Sequence, residues 1–147
     1  MASYYYGKKD GKNLNKVLKH SILTNIIMAV LIVSLMLIFA DSVTRILNSE
    51  RDMALAELAS NGARFYFTAF VFVGLTIVTT AFLSVTTAPK TAFIISILQG
   101  GALVIPLVLV MARMFGVPGV WLSYPISELA LAVVSVFFLL RAKKKVL

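Results

Sequence analysis

Residues 119–140 read GVWLSYPISELALAVVSVFFLL, an apolar run with one carboxylate, Glu128, near its middle. The run is long enough for a helix to cross a hydrocarbon core of about 30 Å, which takes about 20 residues. Glu128 is the only acidic residue inside any long apolar run of the chain. A charged acid at mid-bilayer costs about 2.5–3.5 kcal/mol on insertion scales. Such an acid is tolerated when it is neutral or when it faces a bundle interior or a wet cavity. Trp121, Tyr124, Ala132 and Ser135 lie one or two turns either side of Glu128 and share its face, whereas Leu129, Val133, Val134 and Phe137 point elsewhere. Pro125 removes a backbone donor and frees the carbonyl of Trp121. This face reads as inward and partly wet. Glu128 then has two readings: an ion-responsive carboxylate in a transport path, with Tyr124 beside it, or a neutral acid that packs within the bundle.

Three further runs resemble this one in length. The four spans lie at about 21–40, 65–86, 91–114 and 117–140. Overall, 60% of the 147 residues are apolar and the mean hydropathy is +0.94, far above a soluble domain of this size. Backbone in lipid must satisfy its own hydrogen bonds, so each span is a helix; the short alternating strands of a barrel are absent from the sequence. The expected organisation is a basic amphipathic segment at 1–20, a four-helix membrane bundle at 21–140 and a basic tail at 141–147. The first apolar run is too long for a signal peptide, and IFADSV is a poor cleavage site.

The formal charge of +8 lies at the two ends. Lys8, Lys9, Lys12, Lys16 and Lys19 precede the first span, Lys90 sits in the turn between the second and third, and Arg141, Lys143, Lys144 and Lys145 follow the fourth. With four spans these regions share one side, which the positive-inside rule makes the cytoplasm. A multi-pass protein of the cell membrane with both termini cytoplasmic is expected. Nucleic acid is not an expected partner, because no basic face interleaves with aromatics; membrane lipid is. There is no cysteine, no nucleotide-binding loop, no paired catalytic acids and no His/Asp/Glu cluster at metal spacing, so an enzyme has no residues to stand on and no cofactor is expected.

The remaining polar and small residues carry weaker signals. In SILQGGALVIP, residues 96–106, Ser96 and Gly100 form a small-xxx-small pair that would let helices approach. Gln99 offers an amide at membrane depth, and Pro106 opens the bond to Ala102. Gln99 reads either as packing at a kink or as lining a path; Asn25, in the first span, reads as interhelical glue or as lining a pore. The threonines of span two are expected to bond back to their own helix. Leu14, Val17 and Leu18 share a face, so the N-terminal segment is expected to lie at the headgroup level. Ser49, with Asp52 three residues on, would cap a short helix leading into span two.

Taken in order, these stretches resemble the multidrug and toxic compound extrusion (MATE) transporters. SYYYGKKDGKNLNKVLKH (3–20) resembles the segment before that family's ninth helix, and ELASNGARFYFTAFVFVGL (57–75) its lead-in to helix ten. APKTAFIISILQGGALVIPLVLVMARMFGVPGVWLSYPISEL (88–129) is similar to helices eleven and twelve, with Gly119, Val120, Trp121, Pro125, Ser127 and Glu128 in the signature positions. The resemblance implies an all-α fold of two six-helix lobes around a cavity. It also implies efflux of small organic cations and drugs against inward sodium or protons. The chain corresponds to the last four of twelve helices. It is therefore expected to be inactive alone and to need the missing helices or self-association. Alternative readings are a four-helix transporter working as an oligomer, a structural or regulatory membrane subunit, and a relative of lipid-linked sugar flippases.

Overall fold

The computed structural model describes residues 1–47 and 53–146. Among them every regular element is helical. A short α1 (Ala2–Gly7) turns at Lys8–Asp10 into α2 (Gly11–Leu47). Lys9 takes a positive φ of 56° in that turn, and Asp10 caps α2 by accepting from the Asn13 backbone N–H at 3.0 Å and from its side-chain amide at 2.7 Å. After the gap come α3 (Met53–Thr68) and α4 (Phe70–Val85), then α5 (Pro89–Ile97), α6 (Val104–Phe115) and α7 (Val117–Val146). Between α5 and α6 lies a π-helical turn, Leu98–Ala102.

Three of these units are long and apolar enough to cross a membrane unbroken: Gly11–Thr44, Met53–Val85 and Val117–Lys144. The bent pair Pro89–Ala102 and Val104–Phe115, at 41°, makes a fourth crossing if its two halves form one span. The bend has a local cause. The Leu103 N–H reaches back to the Leu98 carbonyl at 3.1 Å, one residue beyond the α-helical register, and Gly101 sits at φ 133°, where a side chain would be strained. The kink expected at Pro106 is thus centred earlier. Pro106 occupies the third position of α6, where its missing N–H reinforces the break by giving the Ala102 carbonyl nothing to bond.

The sequence reading needs two further corrections. The basic segment 1–20 is not a separate headgroup-level helix. From Gly11 it is continuous with the first span, and Leu14 and Leu18 are buried against Phe82 of α4 and Leu139 of α7, with Tyr5 and Tyr6 packed alongside. The apolar face finds protein where lipid headgroups were expected. Nor do Ser96 and Gly100 bring helices together: both are exposed, and a Cβ added at Gly100 would meet nothing within 4 Å. Ala92 and Ile95 supply the packed face of α5, joining Leu83, Leu131 and Ala142 in the core. The Ser49–Asp52 capping pair lies outside the described residues.

These two apolar clusters gather one end of the bundle. The start of α2, the end of α4, the start of α5 and the end of α7 meet there. Lys8 to Lys19, Lys90 and Arg141 to Lys144 therefore share that end. At the opposite end, Asp41 of α2 accepts from the Ser60 hydroxyl and pairs with the Arg64 guanidinium of α3 at 2.9 Å.

Candidate functional site

Helix α7 buries a polar stripe. Ser123, Ser127, Glu128 and Ser135 are all essentially inaccessible, while Leu129, Val133, Val134 and Phe137 face outward, as the 3.6-residue period requires. The serines bond within their own helix: Ser123 donates to the Val120 carbonyl, Ser127 to Tyr124 and Ser135 to Ala132. Two of them flank Pro125 and bind backbone carbonyls in the turns around it, the usual way a membrane helix accommodates proline.

Glu128 is different because its length carries it off its own helix. It is 0% exposed, and its Oε2 accepts from Gln99 Nε2 at 2.9 Å. Gln99 is the second residue of the π turn, so the break in the third crossing presents this amide to α7. The other carboxylate oxygen, Oε1, is buried with no hydrogen-bond partner. One turn before it, Tyr124 stacks on Tyr66 of α3, ring centroids 4.4 Å apart and nearly parallel at 8°. One turn further, the Trp121 indole lies over Gly62, where an added Cβ would come within 2.7 Å of Nε1. Gln99 of the π turn thus touches the acid, while α3 packs on the same side of α7 one and two turns before it, through Tyr66 and Gly62.

Of the residues singled out from sequence, the structure brings Glu128, Gln99 and Tyr124 together. Asn25 is elsewhere. Its amide sits against Gly74 of α4, where any Cβ would collide with it, and its Nδ2 is buried without a partner. Asn25 also lines an open groove of about 640 Å³ on α2, shared with Asn13, Lys16, His20 and Thr24 toward the basic end. Thr76 and Thr80 bond back to Phe72 and Thr76 as expected, but Thr79 is buried with its hydroxyl unpaired. Sequence reasoning missed Tyr66, Gly62 and Gly74. Tyr66 and Gly74 were an aromatic and a glycine within an apolar run, which is common in membrane helices, and Gly62 was a glycine in the polar stretch SNGAR before it.

An all-helical arrangement of the described residues with three unbroken apolar spans, and a broken one beside a buried acid, is that of a multi-pass membrane protein. Residues 1–110 of the 147 match the MatE family model, so the chain belongs to the MatE family, whose members are membrane transporters rather than enzymes. No curated protein and no solved structure matches the chain. The matched region contains Asn25, Tyr66 and Gln99 and stops before α7, on which Tyr124 and Glu128 lie.

Proposed function

We propose that this chain serves cation-coupled export of small organic cations, including drugs, with sodium or protons moving inward and with Glu128 as the carboxylate that takes the coupling ion. The observation that carries this reading is the state of Glu128: fully buried, with one neutral amide on Oε2 and nothing on Oε1. An ionised carboxylate so placed has no hydrogen-bonded cation among the described residues, and a proton or sodium ion would supply the compensating charge. Gln99 holds and orients the acid, and Tyr124, stacked on Tyr66, lies one turn before it on α7. The concentration of lysine and arginine at one end of the bundle supports a cell-membrane protein with both termini cytoplasmic.

The four crossings work with further helices. Only 6% of the most apolar window of α2 is buried, against 33% for α3–α4 and 39% for α7. The uncovered side of α2 carries Thr24. Polar groups at that depth are better matched by another helix than by lipid.

Drug resistance in an efflux-deficient bacterium tests both parts. Residues 1–147 alone are expected to insert without conferring resistance. Co-expression with the remaining helices of a MatE-type transporter is expected to restore resistance, and Glu128→Gln to abolish it with insertion intact. Resistance from the chain alone would refute the need for further helices. Full resistance in Glu128→Gln would refute the coupling role.

A further inference from the structure

The hydrogen bond between Gln99 and Glu128 joins two features that were described separately, the buried acid and the broken crossing. Helix α5 is packed mainly on α4, and α6 on α7. The π turn between them carries one side-chain bond to a neighbouring helix, from Gln99 to Glu128, among the described residues. Gly101 and Pro106 make a regular helix through this segment unfavourable, so its bend is not fixed by an unbroken hydrogen-bond ladder. Gln99 therefore holds the orientation of the break by holding Glu128.

We propose that Gln99, Glu128 and the turn Leu98–Ala102 form an ion-controlled latch: one positive charge arriving at Glu128 Oε1 loosens the Gln99 bond and frees the break to change its angle. The chemistry is simple. With Glu128 ionised, the Gln99 N–H donates to a full anion, and such charge-assisted bonds are about twice as strong as neutral ones. A proton from water adds to Oε1, whose lone pairs are unused; Oε2 then remains only as a neutral carbonyl acceptor. A sodium ion at Oε1 draws the same charge away from Oε2. The titratable neighbours are few. Tyr124 lies one turn before Glu128 on α7 and stacks on Tyr66 of α3; α3 also carries Glu57 and Arg64, α4 has no titratable side chain, α5 has only Lys90 at its start and α6 only Arg113 in its last turn.

The inference rests on Glu128 as the ion-binding group, but its test needs no transport. The chain has no cysteine, so a single engineered one takes a nitroxide label cleanly. Gly100→Cys places it in the π turn, next to Gln99, where an added side chain meets open space. The labelled full chain is reconstituted in lipid nanodiscs, and its spectrum recorded from alkaline to acid pH in choline, then at alkaline pH with sodium replacing choline. The expected result is a single ordered component at high pH and a second, faster component that grows with acid, with sodium or with both. The two arms separate the ions. In Glu128→Gln the spectrum should not respond to either, and in Gln99→Leu the fast component should be present at every pH. A spectrum unmoved by pH and sodium in the otherwise native chain would overturn the latch, as would a response that survives in Glu128→Gln. A negative spectrum beside Glu128-dependent resistance would dispose of the latch while leaving the coupling role standing.

Discussion

Replacing Gly62 by alanine tests the closest approach of α3 and α7. An added Cβ would lie 2.7 Å from Trp121 Nε1, 2.8 Å from Cε2 and 3.2 Å from Cδ1. Ordinary contact needs close to 3.7 Å, so the indole must retreat by about 1 Å. Tyr66 and Tyr124 stack one turn further along the same two helices, and an open groove lined by Ala59, Gly62, Tyr66 and Trp121 is the space into which the ring can move. Overpacking of this kind costs about 1–3 kcal/mol, while glycine to alanine within a helix returns about 1 kcal/mol. The net expectation is a loss of up to about 2 kcal/mol, taking both terms together. Gly100→Ala is the control: it meets nothing within 4 Å and should lose no stability. Trp121 is the only tryptophan, so its emission reports both unfolding in denaturing detergent and the local shift. If Gly62→Ala matched Gly100→Ala in stability with unchanged emission, the close packing of α3 on α7 would be wrong.

Other expectations concern the ends of the bundle. Leu14→Ala removes a side chain that is 1% exposed and should cost about 2–5 kcal/mol, read as a lower denaturing-detergent midpoint; a surface-like change below about 0.5 kcal/mol would return residues 11–20 to the headgroup region. Asp10 is held below the usual carboxylate range, chiefly by the Asn13 backbone N–H and then by its side chain. Because its folded value is depressed, the cap is complete above the unfolded value of about 4 and is lost as pH falls through the lower, folded one. Amide exchange at residues 11–16, corrected for intrinsic rates, should therefore rise in that acid window and become insensitive to it in Asp10→Asn. Arg64→Gln breaks a pair whose side chains are 41% and 56% exposed, so it should cost less than about 1 kcal/mol and less still in high salt. A larger, salt-independent loss would show that the contact is more than a surface pair.

The spans, the inward face of α7 and the shared basic end were legible because each depends on composition or on one helix period. Glu128 with Trp121 and Tyr124 was placed on a buried face by spacing alone. The partners of that face were not legible. Tyr66 and Gln99 reach Glu128's neighbourhood from other helices, and no periodicity within α7 encodes them. Ser96 and Gly100 have the small-xxx-small spacing, but among the described residues nothing packs on it, and Gly101 beside it is used for its φ. The glycines that do admit a neighbour, Gly62 and Gly74, are recognisable only once Trp121 and Asn25 are seen against them. Leu14 and Leu18 had the right pattern and the wrong partner, since an amphipathic face does not say whether lipid or protein covers it.

The length of α2 sets a relation between the bundle and its bilayer. Its 37 residues extend about 55 Å, well beyond a hydrocarbon core of about 30 Å. The uncharged stretch from Lys19 to Asp41 measures about 33 Å and so marks the two water boundaries on this helix. Neither α2 nor α7 contains a break comparable to the one at Leu98–Leu103. When the protein moves into a thicker or thinner membrane, these continuous columns can only tilt, whereas the jointed crossing can also fold. Bilayer thickness is therefore a mechanical input to this chain, and the deformation it imposes is concentrated at Gly101, two residues from the amide that holds Glu128.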